Sequence, residues 1–122
     1  MEQDDNFIDN EVMEEMKGLM KDKFSLMINQ YFESIDKYLL AIEAGIAEND
    51  ALEISNAAHP LKSSSASLGC IGLSEIAKEM EHTALEFVDN GGDTQSLLEL
   101  YDRIKLASEH VKDVLREELV PA

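Results

Sequence analysis

The chain has 122 residues, 44% of them hydrophobic, and carries 26 acids against ten lysines and arginines, for a net charge of −16. This length fits one domain, residues 1–122, able to bury a core without staples, and the lone cysteine, Cys70, excludes an internal disulfide. The charge excludes nucleic acid and anionic membrane as partners, and no apolar run approaches the roughly 18 residues of a bilayer span.

No basic, apolar leader precedes the acidic start MEQDDNF, so the cytoplasm is the expected location. The Met1 start suggests a free-standing protein, with a domain excised from a larger one as the alternative. The acidic surface has two readings: simple solubility, or selection of a protein partner with a basic rim.

Helical periodicity predicts five segments in turn. The first covers residues 9–20, where Val12, Met13, Met16, Leu19 and Met20 share a face. The second covers 22–48, with a stripe that includes Phe24, Ile28, Tyr31, Ile35, Ile42 and Ile46. Asp50 is a good cap for the third, 50–68. GCIG at 69–72 reads as a turn before the fourth, 73–89, which points Leu73, Ile76, Met80, Ala84, Phe87 and Val88 inward. DNGGD breaks the chain again. The fifth covers 94–119, with Leu97, Leu98, Tyr101, Ile104, Ala107, Val111, Val114 and Leu115 inward. Four long helices with short connections predict an all-α protein: an antiparallel up-down-up-down four-helix bundle, with the short N-terminal helix packed across it.

One histidine sits in unusual company: AAHPLKSSSASLGC, residues 57–70. On a helical wheel, Ile54, Ala57, Leu61, Ser65 and Leu68 form a band centred roughly 200° from His59. His59 therefore points outward. Its own face carries Leu52, Ser55, Asn56, Lys62, Ser63 and Ala66, most of them small, so another protein can come close. A run of serines is poor in helix propensity, and a surface chosen only for helix stability would use Glu and Lys. Pro60 adds a cost of roughly 3 kcal/mol if it lies in the helix interior, because it cannot donate to the Asn56 carbonyl. A kink is expected there; a helix starting later would put Pro60 harmlessly in its first turn.

The turn near Cys70 suggests a partner for His59. Antiparallel helices leaving a turn place equidistant residues at one level, and residue 81, as far after Cys70 as His59 is before it, is Glu. A carboxylate there can accept from Nδ1–H and leave Nε2 as an outward nucleophile. Lys62 lies one turn from His59 on the same face and favours a dianionic group such as phosphoryl. Val12, Met13, Met16 and Met20 either extend an adaptable docking surface beside Leu52 or simply cover the bundle end.

AHPLKSSSASLG followed by LSEIAKEME resembles the histidine-containing phosphotransfer (HPt) domains of two-component relays. Ala58, His59, Leu61, Lys62, Ser64, Gly69, Leu73, Met80 and Glu81 occupy the places of that family's pattern. The resemblance implies that His59 is the phospho-acceptor, that Lys62 stabilises the phosphoryl charge, and that Glu81 orients the imidazole. The docking face would be Leu52, Ser55, Asn56, Ser63 and Ala66, with Val12, Met13 and Met16. Ser63 departs from the family, standing where Gly is usual. The implied partners are response-regulator receiver domains and a hybrid sensor histidine kinase, met by a monomer. No cofactor of its own is expected; Mg²⁺ would come with the receiver.

The sequence contains no Gly-rich phosphate loop, so a carrier is expected and not a kinase. A kinase dimerisation helix does not fit, because Pro60 follows His59 at once. A di-iron bundle needs two Glu-x-x-His motifs, and only Glu79–His82 is present. The alternative is a helical interaction module that docks on response regulators or other proteins without being phosphorylated. His82 and His110 lack the small-residue surround and read as solvated or structural.

Overall fold

The computed structural model describes residues 7–119; the first six residues and Pro121 lie outside them. The described residues form five α-helices: α1 (Asn10–Met20), α2 (Phe24–Ala47), α3 (Ala51–Ser67), α4 (Ile71–Asn90) and α5 (Leu98–Leu119). Single 3₁₀ turns, Lys21–Lys23 and Thr94–Leu97, precede α2 and α5. Helices α2 to α5 make a four-helix bundle in which each packs on the next and α5 closes onto α2.

The buried positions recur at helical spacing. Ile28, Ile35 and Ile42 of α2, Ile54 and Leu61 of α3, Leu73 and Met80 of α4, and Ile104 and Leu115 of α5 are all fully buried. Gly45 is needed where α2 meets α3, since a Cβ there would come within 2.7 Å of Ile54 Cγ1.

Local chemistry sets the helix ends. The Asp9 carboxylate accepts from the backbone N–H of Glu11 and Val12 and starts α1. Asp50 accepts from Glu53 N–H at 3.1 Å and starts α3. Gly69, at φ +82°, reverses the chain after α3, and Cys70 N–H donates back to the Ser65 carbonyl at 2.8 Å. The second reversal is tied down by Thr94, whose hydroxyl donates to the Ile46 carbonyl at 2.8 Å.

Helix α1 lies across the α3–α4 end. Asp9 N–H donates to the Gly69 carbonyl at 2.7 Å, and a Cβ on Gly69 would stand 2.7 Å from the Asp9 carbonyl. At its other end Lys17 pairs with Glu118 of α5 at 2.7 Å.

Several sequence expectations are corrected here. Helix α4 begins at Ile71, inside the stretch read as turn, because Leu68, Gly69 and Cys70, with Gly69 at positive φ, complete the reversal. Val88 and Leu98, read as inward, are 45% exposed. Val88 lies in the last turn of α4 and opens onto a hollow shared with Leu52, and Leu98 falls off the face that buries Leu97, Tyr101 and Ile104. Pro60 does lie inside the helix, as expected: α3 runs through it. Asn56, whose carbonyl loses its donor, sits on the exposed face.

Candidate functional site

His59 stands on the outer side of α3, with its side chain 61% exposed, while Ala58 and Leu61 beside it are fully buried. Directly across the α3–α4 seam is Glu81, whose side chain is only 11% exposed. His59 Nδ1 lies 2.8 Å from Glu81 Oε2. Lys62 Nζ donates to the other oxygen, Oε1, at 2.7 Å. One carboxylate thus joins the histidine and the lysine.

Burial pushes the Glu81 carboxyl upward, but hydrogen bonds and charge from Lys62 and His59 outweigh it and hold Glu81 below the usual carboxylate range. Glu81 is therefore ionised at neutral pH and can only accept. Nδ1 must carry the proton, which leaves the Nε2 lone pair free in the neutral ring. Nε2 is the far nitrogen of an exposed ring and is turned toward solvent.

This geometry refines the reading of Lys62. Its ammonium is bound to Glu81 and is not simply waiting for an anion. An ammonium has three donors, so Lys62 can hold Glu81 and still meet a phosphoryl oxygen. Sequence reasoning missed this link, and it also missed Ser74. Ser74 Oγ donates to the Lys62 carbonyl at 2.9 Å and pins α4 to α3 beside the site. Its signal in the sequence was only that of a residue suited to a first helical turn. On the other flank, Tyr31 and Ser65 hydroxyls meet at 2.7 Å and join α2 to α3.

The docking residues separate into several groups. Asn56, Ser63 and Ala66 are exposed around His59, and Leu52 is 53% exposed further along α3. Val12 and Met16 are partly exposed at the opposite end of α3 from Leu52. Met16 lines a groove of about 290 Å³ with Met27, Tyr31, Ser64, Ser67 and Leu68. Met13 and Ser55 are corrections: they are 2% and 5% exposed and offer no docking surface. Met13 is on the side of α1 that faces the bundle. Ser55 is on the flank of α3 that α4 covers.

The electrostatics of α3 are as unusual as its side chains. None of the chain's 26 acids falls between Glu53 and Glu75, and Lys62 is the one lysine or arginine in that interval. A dianion approaching His59 therefore meets a wall cleared of repulsion on the α3 side. Elsewhere, His82 is exposed, and His110 packs edge-on against Phe7 with ring centres 4.9 Å apart. Among the described residues, Glu48, Asp50 and Glu53 bring carboxylate oxygens within 4.8 Å of one another, but Asp50 is already engaged as the α3 cap.

The family model of the Hpt domain matches residues 26–118. The chain belongs to the Hpt domain family. As an Hpt domain of two-component phosphorelay type, it takes the helical bundle expected of that family. The fold is also that of the crystal structure of histidine-containing phosphotransfer protein B (HptB) from Pseudomonas aeruginosa PAO1. The two share 20% sequence identity over 92% of this chain and 93% of that one, with a TM-score of 0.83. No curated protein matches this Hpt domain. None of its helices, among the described residues, is long and apolar enough to cross a membrane.

Proposed function

We propose that this Hpt domain accepts a phosphoryl group on His59 Nε2 from the aspartyl phosphate of a receiver domain and yields it to the aspartate of another. The observation that carries this reading is the 2.8 Å bond between His59 Nδ1 and Glu81, on a ring otherwise open to solvent. The Nε2 lone pair forms the N–P bond as the P–O bond to the aspartate breaks, and the bonding pair leaves with the carboxylate. No proton has to move. The ring gains positive charge as the bond forms, and Glu81 stabilises it through Nδ1–H. Lys62 meets charge on the phosphoryl oxygens. Such transfers depend on positioning and electrostatics, which is what these three residues supply.

The chain acts as a carrier and not as an enzyme with turnover of its own, and a hybrid sensor kinase with its regulator supplies the two receivers. Mg²⁺ and the groups that hold it are assigned to the receiver. The setting is cytoplasmic and the carrier monomeric. The test is incubation with a panel of phosphorylated receiver domains. Acid-labile label is expected on the native protein and none on His59→Gln with an unchanged helical spectrum. Acid-stable label, or equal label on the variant, overturns the proposal and leaves the unphosphorylated interaction module.

A further inference from the structure

The charges of this chain are segregated along the bundle. Residues 38–61 and 79–102 contain none of the ten lysines and arginines. They contain four acids and seven acids respectively. These two segments meet at one end of the molecule, the end that holds the α2–α3 and α4–α5 connections. Among the described residues, Glu48, Asp50, Glu53, Glu86 and Asp89 of this end form no ion pair. The field there is negative, and Lys37, which shares a hollow with Glu53, is the cation that borders it.

Apolar side chains stand within that field. Leu52 is 53% exposed, Leu85 42% and Val88 45%. Leu52 and Val88 line one hollow of about 490 Å³ with Phe87, Glu48 and Asp50. Leu85 and Val88 follow Glu81 by one and two turns, so they share its side of α4. Leu52 precedes His59 by two turns, about 10 Å along α3. A single strip of the α3–α4 seam therefore runs from His59 and Glu81 to an apolar patch rimmed by acids. Single exposed leucines are ordinary; neighbouring ones with a one-sign rim mark an interaction surface.

We infer that the partner exchanging phosphoryl with His59 seats an apolar element on Leu52, Leu85 and Val88 and sets lysine or arginine side chains against Glu48, Glu53 and Glu86. The assignment rests on the phosphotransfer reading above. The charge pattern decides the chemistry of the occupant. Anionic lipid and nucleic acid are repelled, whereas a protein surface with an apolar centre and a basic rim is attracted and steered. The acid-free stretch of α3 then receives the phosphoryl itself, while the acidic end holds the protein that carries it.

Two phosphoryl donors separate docking from chemistry. Phosphoramidate, a small donor, needs only His59, whereas a phosphorylated receiver must also dock. The double variant Leu52→Gln with Val88→Gln should lower the second-order rate of labelling by a receiver about tenfold, the scale of lost interface anchors, while the rate with phosphoramidate stays at its native value. Glu48→Lys with Glu86→Lys should slow receiver labelling and flatten its dependence on NaCl. Receiver labelling at the native rate in both variants overturns the docking assignment and leaves the phosphotransfer reading standing. A panel in which no receiver labels the native protein overturns both.

Discussion

Replacing Glu81 by glutamine removes one charge and almost no volume. In the native protein both carboxylate oxygens are engaged, at 2.8 Å by His59 and 2.7 Å by Lys62. A hydrogen bond to a charged partner contributes about 1.5–3 kcal/mol and a neutral one about 0.5–1.5, so the imidazole loses about 1–2 kcal/mol of orientation and of support for its developing charge. If the full difference falls on the transition state, the rate of phosphohistidine formation drops about 5- to 30-fold. The loss should appear with phosphoramidate as well as with a receiver, because it lies in the ring and not in docking. Rapid-quench labelling of the native and Glu81→Gln proteins measures it.

The pH dependence has a definite sign. Glu81 is held below the usual carboxylate range in the fold. Its contribution to stability is therefore complete above the carboxyl's unfolded pKa and is lost as pH falls through the lower folded value. The difference in Tm between native and Glu81→Gln should shrink on acidification through that interval. The reasoning is refuted if Glu81→Gln loads at the native rate from both donors, or if the Tm difference grows as the pH falls.

Three further outcomes follow from the packing around the site. Ser63→Gln places a longer side chain on the exposed face one turn from His59 and should slow transfer from a receiver far more than loading from phosphoramidate, as paired kinetics would register. Tyr31→Phe leaves the Ser65 hydroxyl, fully buried, without its 2.7 Å partner, and should cost about 1–3 kcal/mol in urea unfolding. Gly69→Ala forces a side chain onto a φ of +82° and to within 2.7 Å of the Asp9 carbonyl. It should cost about 1–2 kcal/mol from the backbone alone and raise hydrogen exchange along α1, with α4 protection largely kept.

Much of the site was legible because a helix has a fixed period and a turn has a middle. The stripe of Ile54, Ala57, Leu61 and Ser65 turns His59 outward whatever surrounds the helix. Counting from Cys70 puts residues 59 and 81 at one level in any tight antiparallel pair. What Lys62 binds was not legible. A lysine one turn from a histidine can reach solvent, an anion or a neighbouring helix, and only the depth of Glu81 in the α3–α4 seam selects the last. Ser74 was hidden for the same reason: its partner, the Lys62 carbonyl, belongs to another helix.

The amino-acid order alone determined the helices, their inward stripes and the bare, acid-free surround of His59, since these follow from spacing along one axis. Tertiary structure decided which flanks of those helices are covered. Met13 and Ser55 are buried because a neighbour lies over them, whereas Val88 in the last turn of α4 and Leu98 beside the buried Leu97 are left 45% exposed. It also gathered two cation-free segments, distant in the chain, into one acidic end. Burial and electric field depend on distances between helices, and no single helix contains that information.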